Sequence, residues 1–116
     1  MSESKLPSYR EVVTLPVGFE ARNGAVYNEA EIRPVSAGDE LFIGMSAEYA
    51  RHPNDLVYKT LLLSRTVLRI GEQKPVTMSD IQKLHAKDAR ALEYAVYRIT
   101  YGEESLPPED PNTPGG

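Results

Sequence analysis

His85 and Asp88, three residues apart in the stretch "KLHAKDARALEYAV", are the first candidates for chemistry in this sequence. Residues at that spacing share one helical face, so the carboxylate is positioned to orient an imidazole acting as a general base. Such catalysis also needs an aligned nucleophile, and zinc chemistry needs three or four converging ligands. The other histidine, His52, precedes Pro53 in a predicted loop, no HExxH-type spacing occurs, and cysteine is absent. The economical role for Asp88 is at the start of a helix, where a carboxylate satisfies free N–H groups and complements the positive dipole end. Glu29 and Glu31 form a second carboxylate pair on one strand face, but Arg33 follows on that face. An ordinary charged solvent face is the simpler expectation. Gly18, Gly24, Gly38 and Gly44 are isolated, so neither a phosphate-cradling loop nor a dinucleotide fingerprint is present. No catalytic, cofactor-binding or metal-ligating residue is assigned, and the expectation is a protein without enzymatic activity.

The elements that would position these residues belong to one domain. A chain of 116 residues can bury a core without metal or disulfide staples. No apolar run approaches the roughly 18 residues of a membrane span, and the opening "MSESKLPSYR" has no apolar stretch of a signal peptide. No membrane partner and a cytoplasmic location are expected. The formal charge of -4 is concentrated at one end: "EESLPPEDPNTPGG" holds Glu103, Glu104, Glu109 and Asp110 and no base. Residues 1–102 carry 13 basic and 13 acidic groups, so the body lacks the positive field that gathers phosphates, and nucleic acid is not an expected partner. Composition predicts a flexible N-terminus over 1–9, a single domain over 10–102, and a disordered acidic Pro/Gly-rich tail over 103–116.

Within the domain, "EVVTLP" reads as a short strand stopping at Pro16. Asn23-Gly24, the preferred pair for a type I′ turn, predicts a hairpin joining Val17–Ala21 to Ala25–Arg33. On the latter, Val26, Asn28, Ala30 and Ile32 share one face, and Tyr27, Glu29, Glu31 and Arg33 share the other, solvated one. The pattern then becomes helical. Ser36 and Asp39 form a capping box opening a helix over "AGDELFIGMSAEYA", with Leu41, Met45 and Tyr49 on one face, which Pro53 ends. Asn54 caps a core helix over "DLVYKTLLLSRTVLRI", with Val57, Leu61 and Leu68 as one stripe, stopped by Gly71. A short helix over about 79–85 and a longer one over about 86–101 follow. The predicted class is α+β: a small antiparallel sheet of about three N-terminal strands against three to four C-terminal helices.

On the last helix Tyr94, Tyr97 and Tyr101 recur at three- and four-residue spacing. Tyrosine is enriched at protein interfaces, so this face is a candidate partner surface. The competing reading buries Leu92, Ala95, Val96 and Ile99 and leaves the tyrosines as flanks. With several apolar helices and no convergent polar cluster, binding is the expected mode of action.

The order "VVTLPVGF", "EAEIRPVSAGDEL", "LLLSRTVLRIGE" and "MSDIQKLHAKDARALEYAV" resembles the tail assembly chaperones of Mu-like and P2-like contractile-tail phages, over about Glu11 to Val96. The strand ending in Arg33-Pro34 before a helix with Asp39, and the Leu84, Asp88, Leu92 spacing, carry the resemblance. It implies a non-enzymatic protein that coats the hydrophobic tape measure protein in the bacterial host cytoplasm while the tail tube polymerises, and that is absent from the mature particle. A fibrous client is usually coated by several copies, so a homo-oligomer is among the implied partners. On this reading the client contacts are Leu41, Phe42 and Met45, the last with a side chain that adapts to varied partners, together with Tyr94, Tyr97 and Tyr101. The alternative is a structural tail-completion or baseplate adaptor protein using the same surfaces for permanent packing.

Overall fold

The computed structural model describes residues 10–102; the expected flexible N-terminus and acidic tail lie outside the described residues. The class is α+β, as expected. Strands β1 (Glu11–Glu20), β2 (Val26–Ile32) and β3 (Val67–Ile70) form an antiparallel sheet in the order β1-β2-β3, with helices α1 (Ala37–Gly44), α2 (Ala47–Arg51), α3 (Asp55–Thr66), α4 (Met78–Gln82) and α5 (Ala86–Tyr101). The two predicted N-terminal strands are one. Pro16 does not end β1 but lies in a wide irregularity, where Leu15 to Gly18 oppose the single residue Asn28 between the Thr14–Glu29 and Phe19–Tyr27 pairs. A proline cannot donate to the ladder and is tolerated at such a bulge.

The third strand comes from the expected end of the core helix. Asn54 caps α3 by accepting from Val57 N at 3.0 Å, as predicted, but the helix stops at Thr66. Thr66, Val67 and Ile70 are β-branched, and β2 offers an unpaired edge that takes up the backbone groups of Val67–Ile70. Arg33 N donates to Thr66 O at 3.0 Å and Gly71 N to Glu29 O at 2.8 Å, closing the strand at both ends. Gly71 has φ of +57°, and a Cβ built on it would lie 2.0 Å from the Tyr27 ring, so only glycine lets the ring cover this turn.

The hairpin also differs from its prediction. Ala21 O accepts from Gly24 N at 2.9 Å, Ala25 O accepts from Ala21 N at 2.8 Å, and Gly24 alone has positive φ. This is a three-residue loop with glycine in the left-handed position, not a two-residue type I′ turn; Asn23 serves by accepting from Ala25 N at 2.9 Å through its side chain.

The long helix predicted over 37–50 is two helices. The Ser46 hydroxyl donates to Ile43 O at 2.8 Å and accepts from Tyr49 N at 3.1 Å, so one side chain ends α1 and caps α2. The inward side of α1 is Asp39 and Ile43; Leu41 and Met45 are exposed. The main core joins Leu15, Phe19, Ala30, Ile32 and Ile70 of the sheet to Leu63 of α3, Ile81 of α4, and Leu92 and Val96 of α5. Of the β2 face expected to be inward, only Ala30 and Ile32 are buried, while Asn28, opposite the bulge, and Val26, beyond it at the hairpin end, are exposed.

Candidate partner-binding surface

The buried polar groups are structural anchors. Asp39 is 1% exposed. It completes the predicted capping box with Ser36 and also accepts from Arg33 at 2.8 and 3.0 Å and from Arg65 Nε at 3.0 Å. Burial alone would raise its pKa, but hydrogen bonds from Arg33, Ser36 and Arg65 and the Arg33 charge outweigh it and hold the carboxyl well below the usual carboxylate range. Arg33, expected on a solvated strand face, is thus folded back into this node, where it also donates to Arg65 O at 2.7 Å. Asp80 repeats the arrangement. It forms a capping box with Thr77 and accepts from Arg22 at 3.0 and 2.8 Å, tying the hairpin loop to α4. Burial again opposes ionisation, and the Thr77 and Arg22 hydrogen bonds lower the pKa regardless.

His85 and Asp88 do not act as a pair, because each has separate partners. His85 is the exposed N-cap of α5, its Nδ1 accepting from Lys87 N at 3.0 Å. Asp88, rather than capping its own helix, is fully buried and accepts from Val17 N at 2.8 Å and Gly18 N at 2.9 Å. One carboxylate thereby satisfies two backbone donors that the bulge withdraws from the ladder. His52 is the exposed C-cap of α2. Glu29 and Glu31 flank Arg69, Glu31 accepting from its Nε at 3.0 Å. Among the described residues no group of three or more potential metal ligands converges, and no helix is long and apolar enough to cross a membrane.

What remains is apolar surface. Leu41, Phe42 and Met45 project from α1, with Met45 76% exposed. The Arg65 guanidinium lies 4.1 Å from the Phe42 ring centre, so the Asp39 node, by fixing Arg65, also holds that ring at the surface. Beside α1 a groove of about 200 Å³ runs between α3 and α5. Its walls are Tyr58, Leu62 and Leu63 of α3 and Val96, Tyr97 and Tyr101 of α5, with Glu40, Lys59 and Glu93 at its rim. The Tyr97 and Tyr101 rings lie 4.8 Å apart at 48°, and Tyr49 meets Tyr58 edge-on at 5.9 Å. The Tyr58 phenol is pushed upward in pKa by burial first and by the Glu40 charge second.

The structure therefore brings Tyr97 and Tyr101 together in one wall, while Tyr94 is exposed outside the groove and Leu41, Phe42 and Met45 stand beyond Glu40 on α1. Ala89, Leu92, Ala95 and Val96 are the buried face of α5. Tyr58 and Leu62 were not among the expected contacts; their i, i+4 spacing on the helix carrying Leu61 and Leu63 was the available signal. No family model, curated protein or solved structure matches the chain.

Proposed function

We propose that this protein acts by binding, as a tail assembly chaperone of a contractile-tail phage or phage-like particle, and that its client is the tape measure protein. The observation that carries the binding role is the exposed apolar cluster Leu41, Phe42 and Met45 next to an aromatic groove. The identity of the client rests on the sequence resemblance. An amphipathic helix places anchors at i, i+3, i+4 and i+7, and a groove between two helices accepts such a row. Binding requires no catalysis, and the buried Asp39, Asp80 and Asp88 are each occupied by hydrogen bonds that join elements of the fold. The chaperone works in the host cytoplasm and leaves before the particle is complete.

Co-expression with the tape measure protein tests this reading. Leu41→Glu, Phe42→Glu and Met45→Glu together remove apolar contacts worth about 1.5–3 kcal/mol each when fully buried. Because these side chains are exposed, the triple variant keeps the wild-type circular dichroism and melting temperature while the client precipitates. Full client solubility with the triple variant, and with Tyr97→Glu, refutes the assignment. Recovery of the chain in stoichiometric amount from purified particles refutes the chaperone role in favour of a tail-completion or baseplate adaptor.

A further inference from the structure

We infer that the outer edge of β1, over 10–14, pairs antiparallel with the same edge of a second copy of this chain, Val12 against the partner's Val12, so that two three-stranded sheets become one. The inference depends on neither the groove nor the identity of the client. In the order β1-β2-β3, β1 is an edge strand. Which of its backbone groups face outward follows from β2. Glu29 O and Arg33 N make their bonds on the β3 side, and successive residues of an extended strand direct their N–H and C=O groups to opposite sides. Ala30 and Ile32 therefore bond toward β1, where they oppose Val13 and Glu11. Val12 and Thr14 are left with their backbone groups directed away from the sheet. Both are exposed, Val12 by 52%.

Sheet edges are kept from pairing by prolines, bulges and covering groups, and β1 carries these only beyond Thr14. There Leu15 to Gly18 bulge, Pro16 lacks an N–H, and Asp88 occupies the Val17 and Gly18 amides. The free stretch is 10–14, and its middle is Val12. An antiparallel copy that uses the whole stretch has a single register: Val12 against Val12, Arg10 against Thr14, and Glu11 against Val13. It forms about six backbone hydrogen bonds. Charge agrees with this register. Val12 and Thr14 oppose Glu31 and Glu29 on one face of the sheet, and Arg10, two residues before Val12, belongs to the same face. The partner's Arg10, set beside Thr14, then lies two strand spacings, about 10 Å, from Glu29, a distance the two side chains span together. Glu29 is available to it, being 55% exposed and no closer than 3.5 Å to Arg69. On the opposite face Glu11 is already paired with Arg98, so the two copies of this acid do not repel across the seam.

A ladder this short buries less than the roughly 1,200 Å² of a standard interface, so the dimer is weak, with a dissociation constant of about 50 μM. Amide hydrogen exchange of the full chain reads it residue by residue. The Val12 and Thr14 amides exchange about fourfold more slowly at about 1 mM than at about 20 μM, the ratio of free protein that this constant sets. Those of Glu11 and Val13, already bonded to β2, do not change. Val12→Pro removes an outward donor and leaves the β2 ladder intact; its diffusion at about 1 mM is that of a monomer, with unchanged circular dichroism. In a chain without cysteine, Val12→Cys places two thiols at a cross-strand Cα separation of about 5.5 Å, within disulfide range. Mild oxidation therefore captures it as a covalent dimer, whereas Tyr94→Cys, equally exposed on α5, stays monomeric. Exchange at Val12 and Thr14 that is independent of concentration overturns the proposal, as does equal capture of the two cysteines. A dimer that persists in Val12→Pro also overturns it, placing the seam elsewhere on the surface.

Discussion

Asp39→Asn removes a charge and almost no volume, which makes it the sharpest probe of the node joining β2, α1 and α3. The carboxylate accepts four hydrogen bonds, two on each oxygen: Arg33 at 2.8 Å and Ser36 N at 2.9 Å on Oδ2, Arg33 at 3.0 Å and Arg65 Nε at 3.0 Å on Oδ1. In asparagine one oxygen becomes an NH₂ group that faces donors. Breaking a buried ion pair costs about 3–5 kcal/mol. Here the Arg33 and Arg65 side chains are 29% and 35% exposed and regain water, so a loss of about 2–3 kcal/mol is expected. For a folded body of this size that lowers the melting temperature by roughly 10–20 °C. The loss is also pH-dependent. The folded-state pKa of Asp39 is depressed below its unfolded value of about 3.9, so its contribution is complete above the unfolded value and disappears as pH falls through the folded one. Urea denaturation of both proteins from pH 7 down into the acid range, followed by circular dichroism, therefore shows a gap that narrows below about pH 4. A gap under about 0.5 kcal/mol at pH 7, or one of constant size across the series, refutes the electrostatic account of this node.

Asp88→Ala strands the Val17 and Gly18 amides and costs about 2–4 kcal/mol; hydrogen exchange at those two amides accelerates more than at Val12 or Val13. Gly71→Ala places a methyl group against the Tyr27 ring and is destabilising by more than about 2 kcal/mol. In the Tyr27→Ala background the same substitution costs only the left-handed backbone penalty of about 1–2 kcal/mol, a non-additivity that a double-mutant cycle in urea measures. His85→Ala loses an exposed N-cap, about 0.5–1 kcal/mol by thermal melting, and leaves client solubilisation intact.

Local chemistry was enough to establish much of this chain. Ser36 with Asp39 and Asn54 announced two helix starts, and the apolar period of 86–101 a helix whose inner face is Leu92, Ala95 and Val96; Gly71, expected to stop a helix, instead follows a strand. Those signals are legible because a cap or an amphipathic period involves only near neighbours. The competing pull at 67–70 was not legible. Its apolar spacing continues the helical pattern, and only the open edge of β2, more than thirty residues earlier, turns it into a strand. The same distance hid the roles of the three aspartates. Asp39 was visible as a capping-box acid, but the Arg65 guanidinium that helps hold it arrives 26 residues away, and the Arg22 guanidinium that holds Asp80 lies 58 residues away. Asp88 was read as serving its own helix, whereas the bulge around Pro16, 70 residues upstream, claims both of its oxygens. The candidate surface divides in the same way: the tyrosine spacing on α5 was in the sequence, while the opposite wall, Tyr58 and Leu62, exists only because α3 packs alongside it. Tertiary structure decided what no local pattern encodes, namely which distant group satisfies each buried charge and which two helix faces meet to make a groove.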